Sequence, residues 1–310
     1  MPFFSVIIPL YNKEKHIKTT LDSVLAQTFN DFEVIIVNDG STDKSLKIAE
    51  TFDDKRIHIH TTENKGVSYA RNYGVSKSNS NLIAFLDADD YWFPHHLKDL
   101  KHLIKKFPNC GLYCKAYDAQ KNNAIQVSNF KNIPKGWLGI VANYFNNSMS
   151  NNLASSSSVV IPKTVFSTLN GFNTNYNSGE DTDLWIRIAL KYPVAFDDNV
   201  SCLLNLDANN KVTHTKLSQR QHINFDSFNA IAETNQPLKK FLDINRVSVA
   251  IQYKLEGATT LEKKAKKTID FKNLSRLQKL LLKLPRPLVK LILSSRNVLR
   301  NFGVDLRLFR

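Results

Sequence analysis

The chain has 310 residues, 42% of them hydrophobic, which is enough to bury a sizeable core and excludes a wholly disordered protein. Its net charge of +14 is uneven: residues 254–310 hold 15 Lys and Arg against 4 Asp and Glu, a net +11, whereas residues 1–253 carry +3. The three cysteines exclude a disulfide framework, and Cys110 with Cys114 lacks the second pair that a structural zinc site needs.

The N-terminal residues are interpreted as part of the fold and not as a leader. Phe3 to Leu10 are apolar, but no basic region precedes them and no small-residue cleavage site follows. The sequence has no run of the roughly 20 apolar residues that a membrane-spanning helix needs. Because unpaired cysteines suit a reducing compartment, we expect a cytoplasmic protein that does not cross a membrane.

Short β-branched runs alternate with segments of helical spacing over the first 110 residues. The predicted strands are Phe4–Leu10, Phe32–Val37, Arg56–His60 and Leu82–Leu86. Apolar residues at helical spacing follow each strand, and Ser41 or Thr42 is predicted to cap the second helix. Nearly continuous apolar strands separated by helices predict an α/β fold with a mostly parallel, Rossmann-like sheet flanked by helices.

The second half of the chain is less regular. The stretch from Gln120 to Ser158 is rich in Asn, Ser and Lys, which predicts a loop or small helices over the site. Val159–Pro162 predicts another strand, and Gly179–Leu190 predicts a helix with acidic residues in its first turn. After about Ser218 the chain is predicted to be helical to its end.

Acidic residues follow two of the predicted strands, at the edge of a parallel sheet where ligands bind. Asp87 and Asp89 follow the fourth strand, and two carboxylates so close together can hold a hard divalent cation that bridges a diphosphate. The alternative for this pair is a helix N-cap. Asp39 follows the second strand, where it either accepts from a base or a ribose hydroxyl or belongs to an Asp-Gly turn.

Three further features have both a functional and a structural interpretation. Gly66 and Arg71 could bring a helix N-terminus and a cation to a nucleotide, or form a glycine turn with a surface arginine. Glu180 and Asp181 could include a general base, or only complement the dipole of a helix start. His214 is a lone histidine that is either structural or a third metal ligand.

Five blocks together resemble glycosyltransferase family 2 of the GT-A fold. The blocks are, in the family's order, Ser5–Asn12, Val37–Asp43, Asn64–Gly66 with Ala70–Asn72, Leu86–Asp90 and Gly179–Trp185. They cover roughly residues 3–220. The chain lacks the Gln-x-x-Arg-Trp block of the family's processive, membrane-spanning synthases, which speaks against a polymerase of that kind.

The resemblance implies how a nucleotide would bind. Asp39 and Arg71 would bind the nucleobase, and Pro9 and Tyr11 would line its pocket. Asp87 would reach the ribose.

The resemblance also implies the reacting groups. Asp89 would hold Mn²⁺ or Mg²⁺ on the diphosphate, with Asp87 and His214 as further metal ligands. Asp181 would be the catalytic base, and Glu180 would contact the sugar or the acceptor nearby.

The implied protein is an inverting, metal-dependent glycosyltransferase of the hexosyltransferase type. It would move a sugar from a nucleotide-sugar, by preference a UDP-sugar, to a hydroxyl of a glycan or lipid-linked acceptor in surface polysaccharide synthesis. Residues 1–220 would be the catalytic domain, with a nucleotide-binding half at 1–110 and an acceptor half at 111–220, followed by a helical region at 221–310.

Two alternatives remain open. One is a sugar-nucleotide pyrophosphorylase. Such an enzyme would need a Gly-rich, Arg-containing loop right after the first strand, where this chain has Tyr11–Glu14. The other is a catalytically inactive, membrane-docked scaffold that binds a nucleotide-sugar.

The C-terminal tail has a distinct composition. Residues 271–310 hold ten Lys and Arg and one acid, interleaved with leucines. This predicts a basic amphipathic helix pair, bent at 285–287, that lies on an anionic membrane and makes the protein peripheral on the inner face of the cell membrane. Alternatively, the leucines pack on the protein's own core.

Nucleic acid is a poorer partner for the tail, because few aromatic residues are interleaved with its basic residues. We expect residues 1–270 to stay folded alone.

Overall fold

The structure is a computed structural model that describes the backbone of residues 1–301 and the side chains of residues 1–294. The strands are β1 (Phe4–Leu10), β2 (Phe32–Asp39), β3 (Ile57–Thr62), β4 (Leu82–Phe85), β5 (Tyr91–Trp92), β6 (Leu112–Lys121), β7 (Ala124–Gln126), β8 (Leu138–Ile140), β9 (Val159–Pro162) and β10 (Val194–Asn205). The helices are α1 (Ile17–Leu25), α2 (Ser45–Ala49), α3 (Val67–Lys77), α4 (His96–Lys106), α5 (Tyr144–Asn147), α6 (Lys163–Thr168), α7 (Glu180–Ala189), α8 (Asn229–Thr234), α9 (Gln236–Glu256), α10 (Thr259–Lys266), α11 (Arg276–Lys283) and α12 (Arg286–Asn301).

All strands join one mixed sheet. Its order is β3-β2-β1-β4-β9-β6-β10-β5, with β7 beside β6 and β8 beside β10. The four strands β3, β2, β1 and β4 pair in parallel, β9 pairs antiparallel with both β4 and β6, and β6 pairs in parallel with β10. Every residue of β2 is buried, because helices cover both faces of the sheet here. The predicted α/β fold is confirmed.

The predicted strands in the first half and at Val159–Pro162 are confirmed to within a few residues, but the sequence did not predict β6 and β10. Both strands carry charged residues that mask their apolar pattern. Lys115 lies in the middle of β6, where its Nζ donates to Asp197 of β10 at 2.5 Å and to Asp99 at 2.9 Å. Strand β10 has an irregular register between Asp197 and Cys202. The stretch predicted as a loop or small helices contains β7, β8 and α5.

The predicted cap of α2 is wrong. The helix begins at Ser45, and the carboxylate of Asp43 accepts from the Ser45 N–H at 2.9 Å. Ser41 instead accepts from the backbone N–H of Asn12, and the Asn12 side chain accepts from the Thr42 N–H at 2.8 Å. These bonds tie the turn after β1 to the turn after β2, which brings two of the predicted site segments together.

The C-terminal helices form a second, smaller core. The main core extends through the sheet to Leu242 in the first half of α9, and a separate cluster begins at Val247. Leu281 and Leu282 of α11 are 0% and 3% exposed in this cluster. Deleting residues 271–310 would therefore uncover apolar surface of α9, so the expectation that residues 1–270 stay folded alone loses its support.

Among the helices of the described residues, none combines the length and the hydropathy needed to cross a membrane.

Candidate active site

A cavity of about 530 Å³ opens at the carboxyl ends of β1, β2 and β4. Segments from far apart in the sequence meet there, because parallel strands place their carboxyl ends at one edge of the sheet. Of the residues predicted for the site, those that line this cavity are Pro9, Tyr11, Asp39, Arg71, Asp87, Asp89, Glu180 and Asp181. His214 does not line it.

Asp39 at the end of β2 holds the loop that leads into α3. Its carboxylate is buried and accepts from the backbone N–H groups of Lys65 at 2.9 Å and Gly66 at 2.8 Å. Gly66 has a φ of +89°, in the region that favours glycine, and precedes the first residue of α3. Asp39 thus fixes one wall of the cavity and also lines it.

Arg71 joins two carboxylates from different parts of the sheet edge. Its guanidinium donates to Asp87 Oδ1 at 2.7 Å and to Glu180 Oε1 at 2.9 Å, and it lies 5.1 Å from the centre of the Phe172 ring. Arg71 is 3% exposed, so its interpretation as a surface arginine is wrong. Burial disfavours both charged forms, but their mutual attraction raises the pKa of Arg71 and lowers the pKa of Asp87.

Glu180 and Asp181 begin α7 and have different surroundings. Burial and the neighbouring Asp181 raise the pKa of Glu180, against the opposing effect of its partner Arg71. Asp181 Oδ1 accepts from the backbone N–H of Thr182 at 2.5 Å and from its hydroxyl at 3.2 Å. Its Oδ2 has no hydrogen-bond partner among the described residues. Asp183 pairs with Arg187 at 2.6 Å and lines a different hollow.

Asp89 and Asp90 are adjacent but have different environments. Asp89 Oδ2 lies 2.9 Å from Lys13 Nζ and 3.6 Å from Lys211 Nζ. Asp90 Oδ2 accepts from the Ser157 hydroxyl at 2.5 Å, and Oδ1 accepts from the Asn205 N–H at 2.9 Å. Burial, with Asp89 and Asp87 nearby, raises the pKa of Asp90 to about 8. Asp89 therefore lines the cavity, whereas Asp90 ties this loop to β10.

The donor set of the cavity fits a divalent cation that shares its ligands with a phosphate. Asp87 Oδ2 and Asp89 Oδ1 have no hydrogen-bond partner in the described part of the chain. Within that same part, no group of three or more His, Cys, Asp or Glu side chains is placed to hold a metal. His214 is exposed, and the structure does not bring it to the carboxylates. Mg²⁺ is commonly held by one or two carboxylates together with substrate phosphates, which this pair satisfies.

The sequence interpretation missed two lysines of the cavity. Lys13 follows Tyr11-Asn12 directly, so its position beside the site could have been inferred from the first block. Lys211 lies in a polar stretch after β10, and no local pattern indicates that it returns to the cavity.

Known proteins resemble this chain in sequence. Residues 5–159, half of the chain, match the profile described as Glycosyl transferase family 2. An uncharacterized glycosyltransferase of Rickettsia typhi is 30% identical over 203 residues, which cover 64% of this chain and 62% of that protein. The glycosyltransferase GlyA of Streptococcus pneumoniae is 43% identical over 105 residues, 33% of this chain and 15% of that protein. The match thus spans less than two thirds of either relative.

Solved structures share the fold at low sequence identity. S. aureus TarS in complex with UDP-GlcNAc has a TM-score of 0.60 at 21% identity, covering 77% of this chain and 66% of that chain. The mannosyltransferase PcManGT of Pyrobaculum calidifontis, in complex with GDP-Man and Mn²⁺, has a TM-score of 0.51 at 20% identity, covering 65% of this chain and 56% of that chain.

Proposed function

The chain belongs to glycosyltransferase family 2, and from this premise we propose that it is an inverting, metal-dependent hexosyltransferase. Its donor is a nucleotide-sugar, by preference a UDP-sugar, and its acceptor is a hydroxyl of a glycan or lipid-linked glycan used in surface polysaccharide synthesis. The observation that carries this proposal is the convergence of Asp39, Asp87, Asp89 and Asp181 on one cavity. The complex of the TarS fold relative with UDP-GlcNAc supports the choice of a UDP-sugar.

The nucleoside is proposed to bind between the turn after β1 and the start of α3. Tyr11 is 40% exposed and offers a ring on which a base can stack, with Pro9 beside it. Asp39 presents a fixed carboxylate, and Arg71 holds Asp87 in place for the ribose.

The diphosphate is proposed to lie at Asp89. Asp87 and Asp89 would hold Mn²⁺ or Mg²⁺ with their remaining oxygens, and the cation would supply Lewis-acid stabilisation of the charge on the leaving diphosphate. The Mn²⁺ in the PcManGT complex supports this choice.

Asp181 is proposed as the general base. It takes the proton of the acceptor hydroxyl while that oxygen bonds to the anomeric carbon of the donor. The bond from the anomeric carbon to the diphosphate breaks, and its electron pair leaves with the nucleoside diphosphate. The free Oδ2 of Asp181 supports this role, whereas Glu180 is held by Arg71.

A membrane partner is proposed for the outer face of the C-terminal helices. Leu280, Leu288 and Leu291 are 47%, 45% and 64% exposed, and Lys279, Lys283 and Lys290 lie on the same two helices. Exposed leucines beside lysines complement an anionic lipid surface, where each cation adds up to about 1 kcal/mol. The basic and apolar residues of the tail beyond 294 lie outside the side chains that the structure describes.

A transfer assay tests this function. The protein is incubated with UDP-, GDP- and dTDP-sugars and Mn²⁺, and release of the nucleoside diphosphate is measured with and without glycan acceptors. We expect release with at least one donor. Binding of a donor without any release would favour the inactive scaffold, and formation of a nucleotide-sugar from a nucleoside triphosphate and a sugar 1-phosphate would favour the pyrophosphorylase.

A further inference from the structure

Two lysines that line the cavity lie beside the same carboxylate. Lys13 Nζ, on the turn after β1, lies 2.9 Å from Asp89 Oδ2, and Lys211 Nζ lies 3.6 Å from the same oxygen. The side chains of Lys13, Lys211 and Asp89 are 11%, 20% and 6% exposed. One carboxylate oxygen is therefore shared by two ammonium groups, and neither lysine has a second salt-bridge partner among the described residues.

The two lysines come from segments that are also tied to each other. Lys13 Nζ donates to the carbonyl of Asn209 at 2.6 Å, and the Asn210 side chain donates to the carbonyl of Asn12 at 3.1 Å. The segment around Lys211 thus lies against the turn after β1, although nearly two hundred positions separate them. This contact places both ammonium groups on the cavity side, where all three charged residues belong to its lining.

The stability of the fold alone explains this pair of lysines poorly. A buried cation is stabilised by a matched anion, and a second ammonium on the same oxygen adds repulsion between the two lysines. An anion that enters the cavity would remove that repulsion. The diphosphate of a nucleotide-sugar is such an anion, and ammonium groups bind phosphate oxygens as point charges.

We propose that Lys13 and Lys211 are donor-binding residues whose ammonium groups bind the diphosphate and occupy Asp89 before the donor arrives. This inference rests on the proposed function, because it needs a nucleotide in the cavity. Lys13 and Lys211 then have two opposite effects. They attract the diphosphate, and they repel a divalent cation from Asp89 in the absence of nucleotide.

The opposite effects give a test that loss of structure does not imitate. Binding of UDP, GDP and dTDP is measured by calorimetry in EDTA, and binding of Mn²⁺ alone is measured by electron paramagnetic resonance. The variants are Lys13→Met, Lys211→Met and Lys13→Arg. Lys18→Met is the matched control, because Lys18 is 70% exposed on α1 and pairs with Asp22.

We expect each Met variant to bind the preferred nucleotide about tenfold more weakly in EDTA, the loss of one charge-assisted hydrogen bond. The same variants should bind Mn²⁺ about tenfold more tightly at low salt, because one positive charge beside Asp89 is gone. Lys13→Arg keeps the positive charge and should therefore bind nucleotide like the wild type. Lys18→Met should change neither the nucleotide affinity nor the Mn²⁺ affinity.

Other results overturn the inference in distinguishable ways. If the wild type binds a nucleotide in EDTA and both Met variants bind it equally well, the lysines do not bind the diphosphate, but the proposed function stands. If nucleotide and Mn²⁺ affinities fall together, the lysines are structural. If the wild type binds nucleotide only when Mn²⁺ is present, the two lysines contribute too little binding free energy to hold the diphosphate, and the inference is wrong. If it binds none of the three nucleotides under any condition, the proposed function fails as well.

Discussion

The parallel half of the sheet and the C-terminal helices use charge in different ways. In the sheet, buried strands end in carboxylates that specific partners hold, as Asp39 is held by two backbone N–H groups. In α11 and α12, a small core holds the inner leucines, whereas the outer ones are exposed on helices that also carry lysines. We propose that the first region recognises one ligand geometry, whereas the second meets a surface of opposite charge.

The largest effect should come from the sheet region. Replacing Asp89 with Ala removes a proposed metal ligand and the partner of two lysines, so transfer should fall by at least about a thousandfold. The measurement is turnover of the preferred donor with Mn²⁺. Full turnover in EDTA by the wild type would contradict metal dependence, whatever the variant does.

Asp90→Asn is the control for that variant, because it changes the next carboxyl in the chain. An asparagine can accept from the Asn205 N–H and donate to the Ser157 hydroxyl, so it can keep the contacts that tie the loop to β10. Transfer should stay within a few-fold of the wild type. An equal loss of transfer in both variants would mean that activity depends on the conformation of this loop and not on the Asp89 carboxylate itself.

These two neighbours also show the limit of prediction from the sequence. The block Leu86–Asp90 predicted a strand followed by site carboxylates, and β4 and the cavity agree with it. The sequence analysis chose Asp89 and not Asp90 for the site, but it did not predict their partners, because Lys211 and Asn205 come from more than a hundred positions away. Strands β6 and β10 were missed for a related reason, since Lys115 is neutralised by partners outside its own strand.

The next largest effect should come from Asp181→Asn, which keeps the shape of the side chain but cannot take a proton. Turnover should fall by about 100- to 10,000-fold, while the affinity for the donor stays nearly unchanged. Stopped assays for turnover and calorimetry for donor binding separate these quantities. Near-normal transfer would place the base elsewhere, with Glu180 the next residue to replace, because Asp183 lines a different hollow.

A smaller effect is expected in the C-terminal region, where the measured quantity is binding to liposomes. Replacing Leu280, Leu288 and Leu291 together with Gln should weaken sedimentation with anionic liposomes by about tenfold or more, because exposed apolar surface no longer enters the bilayer. Nucleotide affinity should not change. The binding that remains should weaken further with added salt.

Val127→Gln is the matched control for the leucine variant, because Val127 is 70% exposed and lies outside the tail. It should leave liposome binding unchanged. If the wild type does not bind anionic liposomes, the proposed membrane partner is wrong, and the three leucines are ordinary surface residues of the helical region.

The smallest effect concerns stability against pH. The folded chain holds the Asp90 proton up to a pKa of about 8, whereas the unfolded chain releases it at about pH 3.9. Between these values the folded state binds more protons, so the free energy of unfolding falls as pH rises. Asp90→Asn should flatten this dependence by up to about 1.4 kcal/mol per pH unit. Urea unfolding at several pH values measures it, with the exposed Asp53→Asn as control.

Thermal unfolding of the wild type and Asp89→Ala with a panel of UDP-, GDP- and dTDP-sugars and Mn²⁺ tests whether this cavity binds a nucleotide-sugar. A ligand that binds only the folded state stabilises it by about 3 kcal/mol at a hundredfold excess over its dissociation constant. We predict a higher melting temperature for the wild type with one nucleotide class, and a much smaller rise for Asp89→Ala. No rise with any nucleotide-sugar would contradict a donor site at this cavity, and an equal rise in both proteins would contradict the role of Asp89 in that site.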